Sequence, residues 1–87
     1  MTVPSPAIKI DLTEREVSVL RLIANGQPNK AIAVRLGLSE HTIKHHVTHI
    51  LAALQARDRA HAVGRGFAAG IVSPADVEGA ELVGAVR

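Results

Sequence analysis

The chain of 87 residues has no cysteine, no tyrosine, no tryptophan and one phenylalanine, Phe67. Without cysteine there is no disulfide scaffold, no zinc knuckle and no thiol catalysis. A single ring cannot build the stacking platform on which single-stranded nucleic acid is held, since that needs several exposed aromatics. No apolar run approaches the roughly 20 residues that cross a bilayer. The first residues, Met1 to Pro6, are neither a charged-then-apolar signal peptide nor an Arg-rich transit peptide. A strong excess of one charge is also missing, because the formal net charge is only +2. What is present is apolar content: 47% of the residues are hydrophobic, enough for one small core.

The modest net charge conceals an uneven distribution. Residues 1–29 balance three basic against three acidic groups. Residues 30–65 carry Lys30, Arg35, Lys44, Arg57, Arg59 and Arg65 against Glu40 and Asp58, and all five histidines (His41, His45, His46, His49 and His61) fall there. Residues 66–87 set Asp76, Glu78 and Glu81 against Arg87. A basic centre points to a polyanionic partner, although a solvated surface explains the same charges.

The apolar period is helical throughout and no stretch reads as a strand, so the expected class is all-α. Residues 1–11, with Pro4 and Pro6, read as an arm. Thr13 and Glu16 are spaced as a capping box, with Leu12 before them as a hydrophobic staple, so a first helix begins at Thr13 and stops at Asn25-Gly26. A second, short helix is expected over about 29–36, with Pro28 suited to its first turn and Gly37 as its stop. Ser39 caps a third helix over about 40–55, whose apolar stripe is Ile43, Val47, Ile50, Leu51 and Leu54. Its opposite face carries His41, Lys44, His45, Thr48, His49 and Ala52, with no carboxylate after Glu40. A fourth helix over about 59–69 holds Val63 and Phe67 among small residues. Ser73-Pro74 opens a possible short fifth helix over 75–86, which Gly79 and Gly84 weaken by about 1 kcal/mol each.

A short helix, a Gly37-Leu38-Ser39 turn and a longer helix form the spacing of a helix-turn-helix. In such a pair the second helix enters the major groove and presents its N-terminal half to base edges. An exposed face with Lys, His and Thr but no acid suits a helix lying beside phosphates.

The residues Leu12-Thr13-Glu14-Arg15-Glu16, Val19-Leu20, Ile23-Ala24, Gly26, Asn29-Lys30, Ile32-Ala33, Leu36, Ser39, Thr42-Ile43-Lys44, His46, Ile50, Leu54, Arg59 and Ala62-Val63 resemble the LuxR/GerE (NarL-type) DNA-binding domain over positions 12–72. The resemblance implies a four-helix helix-turn-helix domain that binds double-stranded DNA as a homodimer, with residues 73–87 an acidic tail or short helix. It implies that Lys44, His45 and Thr48 read bases. It implies phosphate contacts from Asn29, Lys30 and Thr42, to which His46 and His49 are added. Glu16 and Arg59 match a pair that braces the first helix against the fourth. On the fourth helix, Ala62, Gly66 and Ala69 are the expected dimer contact. The pattern departs at Ala53, where a lysine is usual, and at His45 and Thr48, which replace longer side chains.

The resulting expectation is a cytoplasmic, nucleoid-associated transcription regulator, either stand-alone or a detached output domain, since eleven residues before the domain cannot form a sensor; Met1 at the head favours the stand-alone form. A protein-interaction module acting on RNA polymerase or another regulator is the rival. An enzyme is disfavoured, because there is no Cys nucleophile, paired inward carboxylate or Gly-rich phosphate loop. His41, His45 and His49 stand at i, i+4 and i+8, a spacing that can ligate metal, but no Cys and no carboxylate beyond Glu40 shares their face. No metal and no cofactor are therefore expected.

Overall fold

In the computed structural model, residues 11–78 are described. Four helices run in order: α1 (Glu14–Ala24), α2 (Asn29–Leu36), α3 (Glu40–Leu54) and α4 (Arg59–Ala68). There is no strand among the described residues. Each boundary has a local cause. The Thr13 hydroxyl accepts from the Glu16 N–H at 3.1 Å, and the Glu16 carboxylate accepts from the Thr13 N–H at 3.0 Å, so both halves of the capping box form. Gly37 closes α2 in the left-handed region, with φ 70°. The Leu38 N–H then donates to the Ala33 carbonyl at 2.9 Å, which turns the chain directly into α3. Ser39 caps α3 through the Thr42 N–H, and Asp58 caps α4 through the His61 N–H. Pro28 stands at the cap position of α2, one residue earlier than a first-turn proline.

The C-terminal end of α3 falls one residue earlier than its periodicity suggests. Gln55 takes a left-handed conformation, φ 55°, and lets the Ala56 N–H reach back to the Leu51 carbonyl. Beyond α4, a single 3₁₀ turn spans Pro74–Asp76 in place of the start of a fifth helix. Val77 follows in an extended conformation, so the helix does not continue there; residues 79–86 of that expected helix, and residues 1–10 of the N-terminal arm, lie outside the described residues.

The core draws on every helix. Leu20, Ile32, Ile43 and Ile50 are fully buried, with Val19, Ile23, Ala33, Val47, Leu54, Ala62 and Val72 around them. Each large aliphatic side chain so buried contributes about 1.5–3 kcal/mol relative to exposure. The contact of α4 with α1 depends on a missing side chain. A Cβ at Gly66 would lie 3.0 Å from Leu20 Cδ2 and 3.3 Å from Val72 Cγ2. Arg65 Nε donates to the Leu54 carbonyl, satisfying one of the free acceptors at the end of α3.

The segment after α4 is fastened to the end of α1. Asn25 Nδ2 donates to the Arg21 carbonyl at 2.9 Å and to the Asp76 carbonyl at 2.8 Å, and Asp76 lies 3.5 Å from Arg21 Nε.

Candidate nucleic-acid interface

The outward face of α3 follows from the way its inner face is spent. Ile43, Val47, Ile50 and Leu54 are buried, and the 3.6-residue period leaves His41, Lys44, His45, Thr48, His49 and Ala52 exposed. Beyond Glu40 in the first turn, this helix carries no carboxylate. Lys44 and Thr48 stand one turn apart, and the Thr48 hydroxyl donates to the Lys44 carbonyl at 3.0 Å. That bond uses the hydroxyl proton, so the oxygen faces outward as an acceptor. His41 and His45 also stand one turn apart, with their Nε2 atoms 3.2 Å apart and their ring planes at 81°.

Around this face, Lys30 and Arg35 on α2 are exposed, while Thr42 is half-buried with its N–H bound to the Ser39 hydroxyl. Asn29 is also half-buried, and its Oδ1 accepts from Arg59 at 2.7 Å. Its amide nitrogen carries the donors that a phosphate would require.

What holds α3 from behind differs from expectation. Glu16 does not pair with Arg59. The Glu16 carboxylate is buried, 6% exposed, and its second oxygen faces α3, lying 2.8 Å from His49 Nδ1 and 3.6 Å from His46 Nδ1. Burial raises its pKa, but the Thr13 N–H, the charge and hydrogen bond of His49 and the hydrogen bond of His46 outweigh burial, leaving it below the usual carboxylate value. His46 is thereby turned in towards α1, and His49 keeps about half of its side chain in solvent. Arg59 instead fastens α4 to the α1–α2 turn, donating to Asn29 Oδ1 and, at 2.8 Å, to the Gln27 carbonyl.

Two expected dimer residues need the same correction. Ala62 is fully buried and Gly66 meets Leu20 and Val72, so both face the protomer's own core, while Ala69 is exposed. Small residues at i and i+4 signal a close helix contact without saying on which side it lies. Here the contact is internal, and the exposed positions of α4 are Ala60, Gly64, Arg65 and Ala68.

These contacts give a quantitative expectation for Arg59. Its two bonds from a charged donor to buried or half-buried acceptors make Arg59→Ala cost about 1.5–3 kcal/mol in urea unfolding. Because Arg59 and Glu16 share no partner, Glu16→Ala and Arg59→Ala are additive within about 0.5 kcal/mol. A larger coupling energy in the double-mutant cycle would restore the pair.

Residues 11–65 match the family model described as bacterial regulatory proteins, luxR family. The transcriptional regulatory protein LnrK of Bacillus subtilis is 43% identical over 60 residues, which is 69% of this chain and 27% of that protein. The nitrate/nitrite response regulator protein NarL of Escherichia coli is 49% identical over 51 residues, 59% of this chain and 24% of NarL. The response regulator protein VraR of Staphylococcus aureus is 46% identical over 52 residues, 60% of this chain and 25% of VraR. The chain thus spans about a quarter of the length of the curated relatives it matches. No helix among the described residues is long and apolar enough to cross a membrane.

Proposed function

The chain belongs to the luxR family of bacterial regulatory proteins, and from that premise we propose that it is a sequence-specific regulator of transcription that binds double-stranded DNA as a homodimer, with α3 in the major groove. The observation that carries the reading is the outward face of α3: cationic and neutral polar side chains, no acid beyond the first turn, and nothing of the core exposed on it. A carboxylate there would repel phosphates along the whole groove.

Within this reading the roles divide by chemistry. Lys44 donates to a guanine O6 and N7 edge, the commonest specific contact a cation makes in the major groove. Thr48, its proton already committed to the Lys44 carbonyl, accepts from the amino group of adenine or cytosine. His45 reads alongside them. Lys30 and the amide donors of Asn29 hold the backbone from α2, and Thr42 does so at the start of α3. His49, half in solvent, borders the phosphates. The second copy meets this one through the outer face of α4, at Ala60, Gly64 and Ala68, with Ala69 at its end. Two α3 helices then enter successive major grooves of a site with dyad symmetry.

Selection of bound duplexes from a random pool, followed by a stoichiometry measurement on the selected site, tests the whole reading. The expected outcome is an inverted repeat whose half-sites lie about 34–36 Å apart along the helix, carrying two chains. A single ungapped half-site with one chain bound would overturn the dimer. Absence of any shift on duplex DNA at low salt would transfer the function to a protein partner such as RNA polymerase or another regulator.

A further inference from the structure

We propose that His41 and His45 form a two-imidazole site for a divalent transition metal of the zinc, nickel and copper class, and that the bound ion strengthens the hold of α3 on DNA. The second half of this proposal rests on the reading of α3 above, and the first half does not.

The five histidines of the chain fall into three environments. His46 and His49 are engaged by the Glu16 carboxylate. His61 accepts the Arg57 N–H on its Nδ1. Only His41 and His45, among these five, have a ring nitrogen facing another ring nitrogen, Nε2 to Nε2 at 3.2 Å, on an exposed turn of helix. Two ligand nitrogens held about 2.0–2.1 Å from a tetrahedral metal are themselves about 3.3–3.4 Å apart. The pair therefore stands within about 0.2 Å of the ligand separation before any ion arrives. In the apo protein one ring must donate to the other. For an ion to bind, the donating ring shifts its Nε2 proton to Nδ1 through solvent, so that each neutral ring carries one proton on Nδ1 and both Nε2 lone pairs are free for the metal.

The ligand set selects the ion. Imidazole nitrogens without carboxylate favour zinc, nickel and copper over magnesium and calcium. No group of three or more His, Cys, Asp or Glu among the described residues could hold a metal, so the other coordination positions belong to water. His41, Lys44 and His45 are all exposed, so the site is open to solvent on the face assigned above to DNA. A phosphate oxygen or a guanine N7 can replace one of the waters. A dication placed opposite a polyanion adds attraction on a helix that otherwise carries a single lysine.

The test uses the full chain without a polyhistidine tag, stripped with chelator. Calorimetric titration of the free protein with Zn²⁺ is expected to show one ion per chain. His41→Ala and His45→Ala are each expected to weaken that event by at least about tenfold, as losing support for a metal ligand set does. His61→Ala is expected to leave it unchanged. Absence of zinc binding, or binding indifferent to His41→Ala, would overturn the site whatever the DNA result. On a selected duplex, affinity in Zn²⁺ relative to chelator is expected to rise severalfold in the parent chain and to remain at unity in His41→Ala. A parent ratio of one, with the zinc event present, would overturn the coupling. Failure to bind any duplex in chelator would instead count against the DNA reading and leave the calorimetric arm standing.

Discussion

Replacing Glu16 with alanine is expected to lower stability by about 2–4 kcal/mol, the largest loss from any single side chain outside the aliphatic core. The carboxylate serves three groups at once: the Thr13 N–H at the cap of α1, His49 Nδ1 and His46 Nδ1 on α3. Alanine leaves an unsatisfied helix-terminal N–H and two imidazoles facing a hole. In a domain of this size each kcal/mol moves the melting temperature by about 4–8 °C, so the fall should be at least about 8 °C. Glu16→Gln keeps an acceptor for Thr13 and should lose less. Its diagnostic is the pH dependence. The folded pKa of Glu16 lies below its unfolded value of 4.5, so its ionised form stabilises the fold above that pH. The contribution is lost as pH falls through the folded value. Urea unfolding between pH 6 and 3 should therefore show a shallower acid limb for Glu16→Gln than for the parent chain. An unchanged limb would mean that the carboxylate is not held as described.

Lys44→Ala is expected to reduce discrimination between the selected site and random duplex by about 1–3 kcal/mol, that is, roughly 5- to 150-fold, while leaving unfolding within about 0.5 kcal/mol of the parent chain. Lys44 is exposed and no core contact depends on it. Lys30→Ala should behave differently. Loss of a phosphate contact weakens specific and random duplexes alike and lowers the slope of log affinity against log salt by about one. Thr48→Ala should follow Lys44, with its loss confined to the base pair whose amino group it accepts. Equal losses on specific and random duplex for all three variants would dissolve the division between reading and holding.

The elements were legible where the cause of structure is local. Thr13 and Glu16 announce α1 because a capping box is closed within four residues, and Gly37 announces the turn because the left-handed region is open to few residues. The outward face of α3 was legible because periodicity alone divides Lys44, His45 and Thr48 from Ile43, Val47 and Ile50. The partners of Glu16 were not. Which turn of α3 lies over the first turn of α1 depends on how two helices cross, and spacing along the chain carries no such information. A signal was nevertheless present. His46 borders the buried stripe, three residues after Ile43 and four before Ile50, so its ring had to meet the neighbouring helix. A buried carboxylate on α1 is the group that could receive it. The small residues of α4 misled for the same reason: Ala62 and Gly66 mark a close approach, and only the three-dimensional arrangement shows that the approach is to Leu20 and Val72.

One consequence of the way α3 is held concerns its capacity for change. The residues that fix the helix in place, His46 and His49 with the aliphatic stripe, are distinct side chains from Lys44, His45 and Thr48, although they share the same turns. On the function proposed above, anchoring and base reading therefore fall to different side chains. The three outward positions can be exchanged for other polar residues with little effect on folding, so a library restricted to them would sample new operator preferences on an unaltered frame. Changes at Glu16, by contrast, would tilt every outward residue together and alter affinity for all sequences at once.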